Sequence, residues 1–221
     1  MIQPARIVLV DDHPLVRERL GEIIAEEHDL VVSAQADDGP QALEMIGSTR
    51  ASLAVVDLGL KHSSGLDLVK NMRSAFPRVP ALVVSMYDET IWAEHAIRAG
   101  ARGYINKQEA TKNIVPAIRR VLAGELYLSS ALAQRLAARA TGHADPKAST
   151  GIESLADREL QIFELIGRGL NSRQISDRMR VDASTVDTYR ARIKEKLDLR
   201  DACELLQHAI AWAHCMAGPD A

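Results

Sequence analysis

Short aliphatic runs punctuate the first 124 residues of the chain, at Arg6–Val10, Leu30–Ala34, Leu53–Val56, Ala81–Ser85 and Gly103–Ile105. The segments between them repeat their apolar residues at helical spacing. Leu15–Glu27 places Val16, Leu20, Ile23 and Ile24 on one face, and Gln41–Ile46 follows the same rule. Five strands each followed by a helix predict an α/β domain built on a doubly wound, five-stranded parallel sheet. Strands this uniformly apolar are expected where helices cover both faces of the sheet. From Glu125 the pattern changes: apolar spacing persists to about Ala140, and Thr141–Gly151 then has no period and many helix breakers. Residues 125–151 therefore read as a linker with a helical first half. Beyond Ile152 only helical periods occur, over about Asp157–Arg168, Ser172–Met179, Ala183–Lys196 and Ala202–Cys215. The predicted organisation is an α/β domain (1–124), a linker (125–151) and a small all-α domain of four helices (152–221).

Composition narrows the class. A chain of 221 residues suits two domains. Its 47% hydrophobic and 26% charged residues exclude wholesale disorder. No apolar run nears the ~20 residues of a membrane span, and no signal-peptide pattern opens the sequence. Cys203 and Cys215 are spaced for neither a zinc cluster nor a disulfide framework, so both are expected to be inert core thiols. The expectation is a cytoplasmic protein with no membrane partner. A net charge of −3 leaves nucleic-acid binding to local charge.

The chemistry lies at the strand ends. In an open parallel sheet, ligands bind beyond the carboxyl ends of the strands, where the strand order reverses. The first strand ends at Asp11-Asp12, the third at Asp57, the fourth at Ser85, and the fifth runs into Lys107. Carboxylates crowded together resist joint ionisation unless a cation joins them. Oxygen donors in an open site suit Mg²⁺, which keeps several of its waters. A carboxylate beside such an ion can act as nucleophile toward phosphorus, with a Lys and a hydroxyl on the phosphoryl oxygens. Read singly, Asp11 and Asp12 would equally serve as capping acids before Pro14, a good first-turn residue. His13 and His62 read as solvated.

The ordered set Asp11-Asp12, Asp57-Leu58-Gly59-Leu60 with Gly65, Val83-Val84-Ser85 and Gly103-Tyr104-Ile105-Asn106-Lys107 resembles the receiver domain of two-component response regulators, a flavodoxin-like fold. The resemblance implies that Asp57 is the phosphoacceptor. It makes Asp11 and Asp12 the metal-binding acids, with the backbone carbonyl of Gly59 completing the protein's share of the shell. Ser85 becomes the switch hydroxyl, Lys107 the cationic clamp, and Tyr104 an aromatic switch that turns inward when Ser85 moves. Two positions depart from the family pattern, Lys61 and Gln108, where proline is common; neither removes a reactive group.

In the C-terminal domain, Asn171 with Gln174 three residues on forms a capping-box pair, and Asp182 is placed to cap the next helix. Two short helices joined by a tight turn follow helix-turn-helix logic. On the second of them Val186, Ile193 and Leu197 share a buried face, opposite Ser184, Thr188, Ala191 and Arg192. From Ala183 to Leu197 four bases meet two acids, where phosphate contacts would be wanted. Leu155–Glu159, Gly169–Ile175 and Ser184–Arg192 resemble the LuxR-type helix-turn-helix of NarL/FixJ-class regulators. By that resemblance Ser184, Asp187, Thr188, Ala191 and Arg192 face the DNA. Arg173 and Lys194 touch phosphates, and Leu206, Ile210 and Ala213 form a pairing stripe on the last helix. Ala156 stands where the family has a capping Thr, leaving Asp157 and the helix dipole to compensate.

The function expected is a DNA-binding transcriptional regulator, phosphorylated at Asp57 by a partner histidine kinase and homodimeric when phosphorylated. Only self-phosphotransfer and slow self-dephosphorylation are expected as activities. Two alternatives stand beside it. One is a Mg²⁺-dependent aspartyl-nucleophile phosphohydrolase, disfavoured because Gly59 occupies the position of the usual second acid. The other is a DNA-binding regulator that works without phosphorylation.

Overall fold

The computed structural model describes residues 3–60, 63–140 and 151–217. Lys61, His62 and the breaker-rich 141–150 lie outside the described residues. The chain divides into two compact units, residues 1–137 and 138–221.

In the first unit strands and helices alternate: β1 (Ala5–Val10), α1 (Pro14–Ala25), β2 (Leu30–Ala36), α2 (Gly39–Thr49), β3 (Leu53–Val56), α3 (Gly65–Ala75), β4 (Ala81–Ser85), α4 (Glu89–Ala99), β5 (Gly103–Asn106) and α5 (Lys107–Leu122). All pairings are parallel, in the order β2-β1-β3-β4-β5. Every residue of β3 and β4 is buried, as the unbroken apolar runs require, whereas edge strand β2 is fully buried only at its ends, Leu30 and Ala36. Successive side chains face opposite ways along a strand. One face accordingly sends Ile7, Leu9, Leu53, Val55, Leu82 and Val84 against Leu20 and Ile24 of α1 and Ile114 and Ile118 of α5. Val16 and Ile23 pack on the rim of that core, so the predicted face of α1 is the buried one.

The chain steps from β1 outward to β2 and returns across to β3. The order therefore reverses between β1 and β3, and both of those strands end in aspartates. Local sequence sharpens the helix starts beyond these strands. Asp38 accepts from Gln41 N at 2.9 Å, Ser64 from Asp67 N at 3.3 Å, Asp88 from Thr90 N at 2.6 Å and Asn106 from Gln108 N at 3.0 Å. Each side chain satisfies an amide that the first helical turn leaves open.

The chain after α5 stays on the first unit. Tyr127 bridges to Gly103 beside β5, with Tyr104 N donating to Tyr127 O and Tyr127 N to Arg102 O, both at 3.0 Å. Helix α6 (Ser130–Ala140) follows, with Leu132 buried.

The second unit holds a 3₁₀ turn (Ile152–Ser154) and helices α7 (Asp157–Gly167), α8 (Ser172–Met179), α9 (Ala183–Lys196) and α10 (Ala202–Ala217). Leu160, Phe163, Ile166, Ile175, Val186 and Ile193 are fully buried in its core. On α10 the buried stripe is Leu205, Ala209 and Trp212, the last ring 5.6 Å from Phe163. Gly167 permits the close approach of α7 and α10, because a Cβ there would stand 2.3 Å from Ala209 O. Three local expectations are corrected. Cys203 is exposed, on the side of α10 away from the buried stripe, rather than a core thiol, and the Cys215 side chain lies outside the described residues. Asp182 is the N-cap residue of α9, but its side chain makes no capping bond. At Ala156 the compensation comes from Glu159, whose Oε2 accepts the Ala156 amide at 2.7 Å.

Gly65 tests how tightly the loop after β3 is set. A Cβ there would lie 2.1 Å from Asp57 O and 2.5 Å from Leu58 Cα, both backbone positions that cannot yield. Gly65→Ala is expected to lower stability by ~1–3 kcal/mol, the usual cost of overpacking, measured by urea unfolding. An unchanged midpoint would show that the loop has room the geometry denies.

Candidate functional site

The switch point between β1 and β3 gathers Asp11, Asp12 and Asp57 at the carboxyl end of the sheet. All three are buried, at 5%, 8% and 4% exposure. Their carboxylate oxygens and the His13 ring lie within 4.8 Å of one another. Lys107, the first residue of α5, reaches across from β5. Its Nζ stands 2.6 Å from Asp11 Oδ2 and 2.7 Å from Asp57 Oδ2.

Burial pushes the Asp57 carboxyl above its ordinary value, and the Lys107 ammonium offsets this only in part. For Lys107 burial acts in the opposite direction, but Asp57 and Asp11 outweigh it and hold the ammonium above its usual range. One cation is thus shared between two carboxylates, while Asp12 receives nothing from it. Asp12 Oδ1 is buried and accepts no hydrogen bond among the described residues. The His13 nitrogen 2.8 Å away is close enough to pair by charge but not aligned to donate. A buried carboxylate oxygen without a donor is costly. An incomplete, oxygen-rich donor set of this kind fits a hard divalent cation that retains its own waters. Asp11, Asp12 and Asp57 can hold one.

Around the cup the structure gives roles that the sequence reading did not assign. His13 is 60% exposed, yet its Nδ1 turns inward, 3.1 Å from Asp11 Oδ1, so it is not simply a solvated ring. Arg17 Nη1 donates to the Asp11 carbonyl and fixes the turn after β1. Tyr87 stands over Gly59, its Oη 3.2 Å from where a Cβ on Gly59 would be, and stacks on Trp92 with ring centroids 4.8 Å apart. The strand-end rule already pointed at this loop, since Tyr87 follows Ser85 by two residues.

Ser85 is fully buried beneath the loop, and its Oγ accepts from Tyr87 N at 3.4 Å. Tyr104 is turned inward and 2% exposed, and its hydroxyl donates to Tyr87 O at 2.8 Å. Burial raises the Tyr104 phenol well above its usual range, against a weaker lowering by its bond with Ser85. Tyr104, Ser85 and the backbone of Tyr87 form one hydrogen-bonded unit behind the cup.

In the second unit, Asn171 Oδ1 accepts from Gln174 N at 2.9 Å and Gln174 Oε1 from Asn171 N at 3.0 Å, the capping box the sequence predicts. On α9, Val186 and Ile193 are buried and Leu197 is half-buried. Ser184, Asp187, Thr188, Ala191 and Arg192 are exposed on the opposite side, with Lys194 half-buried at its flank and Arg173 exposed on α8. Asp187 Oδ1 accepts from Ser172 Oγ at 3.0 Å, a tie between α8 and α9 that the sequence did not indicate. On α10 Leu206 is 40% exposed and Ile210 and Ala213 are half-buried. The Ala213 methyl lies 3.0 Å from a Cβ built on Gly167, so this residue faces α7. Among the described residues no helix is long and apolar enough to cross a membrane.

A doubly wound sheet with an acidic cup, joined to a helical unit with a polar, exposed helix, is the architecture of a two-component response regulator. Residues 7–119 match the family described as response regulator receiver domain, and residues 153–209 match bacterial regulatory proteins, luxR family. The chain belongs to the response regulators with a LuxR-type output domain, the NarL/FixJ class, which are transcription regulators rather than conventional enzymes. It is 31% identical over 209 residues to the oxygen regulatory protein NreC of Staphylococcus haemolyticus, spanning 93% of this chain and 96% of that one. It is 32% identical over 208 residues to the response regulator GacA of Pseudomonas aeruginosa, spanning 93% and 95%. Among solved structures, RcsB from Salmonella enterica serovar Typhimurium, bound to promoter P1flhDC in the presence of phosphomimetic BeF3-, shares the fold with a TM-score of 0.73 at 18% identity, over 95% of this chain and 100% of that one. A LuxR-family two-component response regulator from Aurantimonas sp. aligns with a TM-score of 0.57 at 32% identity, over 63% of this chain and 99% of that one.

The raised Asp57 carboxyl has a consequence for stability. The folded state holds this proton more tightly than the unfolded chain does, so the contribution is favourable at low pH and is lost as pH rises through the folded-state pKa. In EDTA, Asp57→Asn is expected to be more stable than wild type at pH 7.5, with the difference vanishing near pH 4. Urea unfolding at the two pH values measures it. A variant less stable at pH 7.5 would mean that Lys107 fully compensates the buried charge.

Proposed function

We propose that the chain is a transcription factor switched by phosphorylation of Asp57. In this reading residues 1–124 are the receiver, 125–151 the linker and 152–221 the DNA-binding domain. The reading is carried by one observation: Lys107 Nζ bridges Asp11 and Asp57 at the sheet's switch point while a buried Asp12 oxygen is left without a donor.

The phosphodonor is a phosphohistidine on a sensor kinase. An Asp57 carboxylate oxygen attacks phosphorus in line; the P–O bond forms as the P–N bond breaks, and the imidazole leaves and takes up a proton. Asp11, Asp12, the Asp57 carboxylate and the Gly59 carbonyl would hold Mg²⁺, which would supply charge neutralisation on the phosphoryl oxygens. Lys107 exchanges its contact with Asp57 for one with the phosphoryl group. Ser85 turns from Tyr87 N to a phosphoryl oxygen, which frees one tether of the Tyr104 unit. The population of DNA-competent molecules shifts by the difference in affinity of the two states for the phosphoryl group.

In the output domain α9 lies in the major groove, where its small residues Ser184, Thr188 and Ala191 allow close approach. Arg192 and Thr188 read bases, Asp187 accepts from a cytosine amino group, and Arg173 and Lys194 touch phosphates. Two phosphorylated molecules occupy half-sites about one DNA turn apart, with Leu206 and Ile210 of α10 at the pairing surface, whereas Ala213 is turned toward α7.

Incubation with acetyl phosphate and Mg²⁺ is expected to add one phosphoryl mass to the intact chain, read by mass spectrometry. Asp57→Asn or EDTA abolishes the adduct. An adduct on the Asp57→Asn variant would overturn the acceptor assignment.

For DNA, Arg192→Ala is expected to weaken specific binding roughly tenfold or more and to relax the preference at one base position. Lys194→Ala should weaken binding to all sequences alike and reduce the salt slope by about 1. Equal losses of both kinds in both variants would place α9 outside the groove.

A further inference from the structure

At the pole of the first unit opposite the cup, the amino ends of β4 and β5 border a second concavity. It encloses about 740 Å³, within the ~300–1,000 Å³ usual for small-molecule sites. Its lining is mixed: Met72, Phe76, Val79, Ile97 and Leu122 give apolar surface, and polar groups give as much again. Arg73, Arg78 and Arg102 stand around it, and among the described residues no Asp or Glu lines it.

The three arginines are not equivalent. Arg73 is spoken for: its Nη1 donates to Arg98 O at 3.3 Å, and its stem lies where a Cβ on Gly100, at φ +122°, would fall. The guanidinium groups of Arg78 and Arg102 are exposed and have no partner among the described residues. Helices α3, α4 and α5 all end at this pole, where their negative dipole ends would attract cations. Among the described residues, however, neither Arg78 nor Arg102 donates to a helix carbonyl, so the helix ends do not engage their guanidinium groups directly. Backbone amides close each helix instead: Phe76 N donates to Met72 O at 2.7 Å, Gly100 N to Ala96 O at 3.1 Å, and Ala123 N to Arg119 O at 3.0 Å. The arrangement is a hollow with an apolar patch on its floor and two unpaired planar cations at its rim, and guanidinium forks match carboxylate and phosphate geometry.

We propose that this hollow binds a small organic anion with a flat or branched apolar body and one carboxylate, sulfonate or phosphate group. The body rests on Phe76, Val79 and Leu122, and the charge lies between Arg78 and Arg102. None of these residues belongs to the cup or to α9, so occupancy does not depend on the chemistry of Asp57.

The test titrates the full chain with anilinonaphthalene sulfonate and, separately, with its neutral analogue phenylnaphthylamine. Binding is read by fluorescence and by amide chemical shifts. The sulfonate is expected to move amides around Phe76, Val79, Gly100 and Leu122. The double variant Arg78→Glu/Arg102→Glu should weaken it about tenfold or more, while the affinity for the neutral dye changes less than about twofold. Both side chains are exposed and unpaired, so the variant removes no contact of the fold. Asp57→Asn should bind the sulfonate as wild type does. If the double variant also binds it as wild type does, or the shifted amides lie only elsewhere, there is no anion site here. If the neutral dye binds wild type as tightly as the sulfonate, the hollow selects only for apolar surface, and the proposal fails equally.

Discussion

The first unit depends on a repulsion that its own topology creates. Reversing the strand order between β1 and β3 brings the ends of two strands side by side, and both ends carry aspartate. Buried at single-figure exposure, these carboxylates would expel one another were it not for the ammonium of Lys107, delivered by the next crossover but one. Burial still leaves the Asp57 carboxyl raised and Asp12 Oδ1 without a donor. The fold thus maintains an electrostatic deficit at one spot and surrounds it with a rigid apolar sheet that cannot relax to relieve it. A cation or a phosphoryl group entering there meets a site already organised around its charge.

The same deficit explains why so much was legible in the sequence. Parallel strands covered on both faces must be apolar throughout, so an Asp or Lys directly following such a run is conspicuous, and its position at a strand's carboxyl end fixes where it points. Asp11, Asp12, Asp57 and Lys107 come together for that reason. The helix faces were legible too, because Val16, Leu20, Ile23 and Ile24 on α1 and Val186 and Ile193 on α9 obey one period with polar residues opposite.

What the sequence concealed depends on side-chain torsions and on helices apolar all round. Nothing in the pattern says that the His13 ring folds back toward two carboxylates while its edge stays in water, or that Tyr87 covers Gly59. Helix α10 carries Ala, Leu, Ile, Cys and Trp on nearly every side, so its period does not single out a face. The buried stripe proves to be Leu205, Ala209 and Trp212, which leaves Cys203 exposed. At the start of α7 the substitution of a capping hydroxyl by Ala156 is offset from within the helix. Glu159, paired with Lys196 at 2.7 Å, turns back to the Ala156 amide, so one buried acid both starts α7 and ties it to α9.

The bridge at Tyr127 has a consequence for association. A parallel sheet offers two open borders, each a template on which a foreign strand can add. Here the outgoing chain has already claimed two amide–carbonyl contacts along β5, which blunts that border, while β2 on the far side is broken in register between Ile7 and Val8 of its neighbour. Edge-to-edge growth of the sheet into larger aggregates therefore has one irregular margin to use rather than two straight ones.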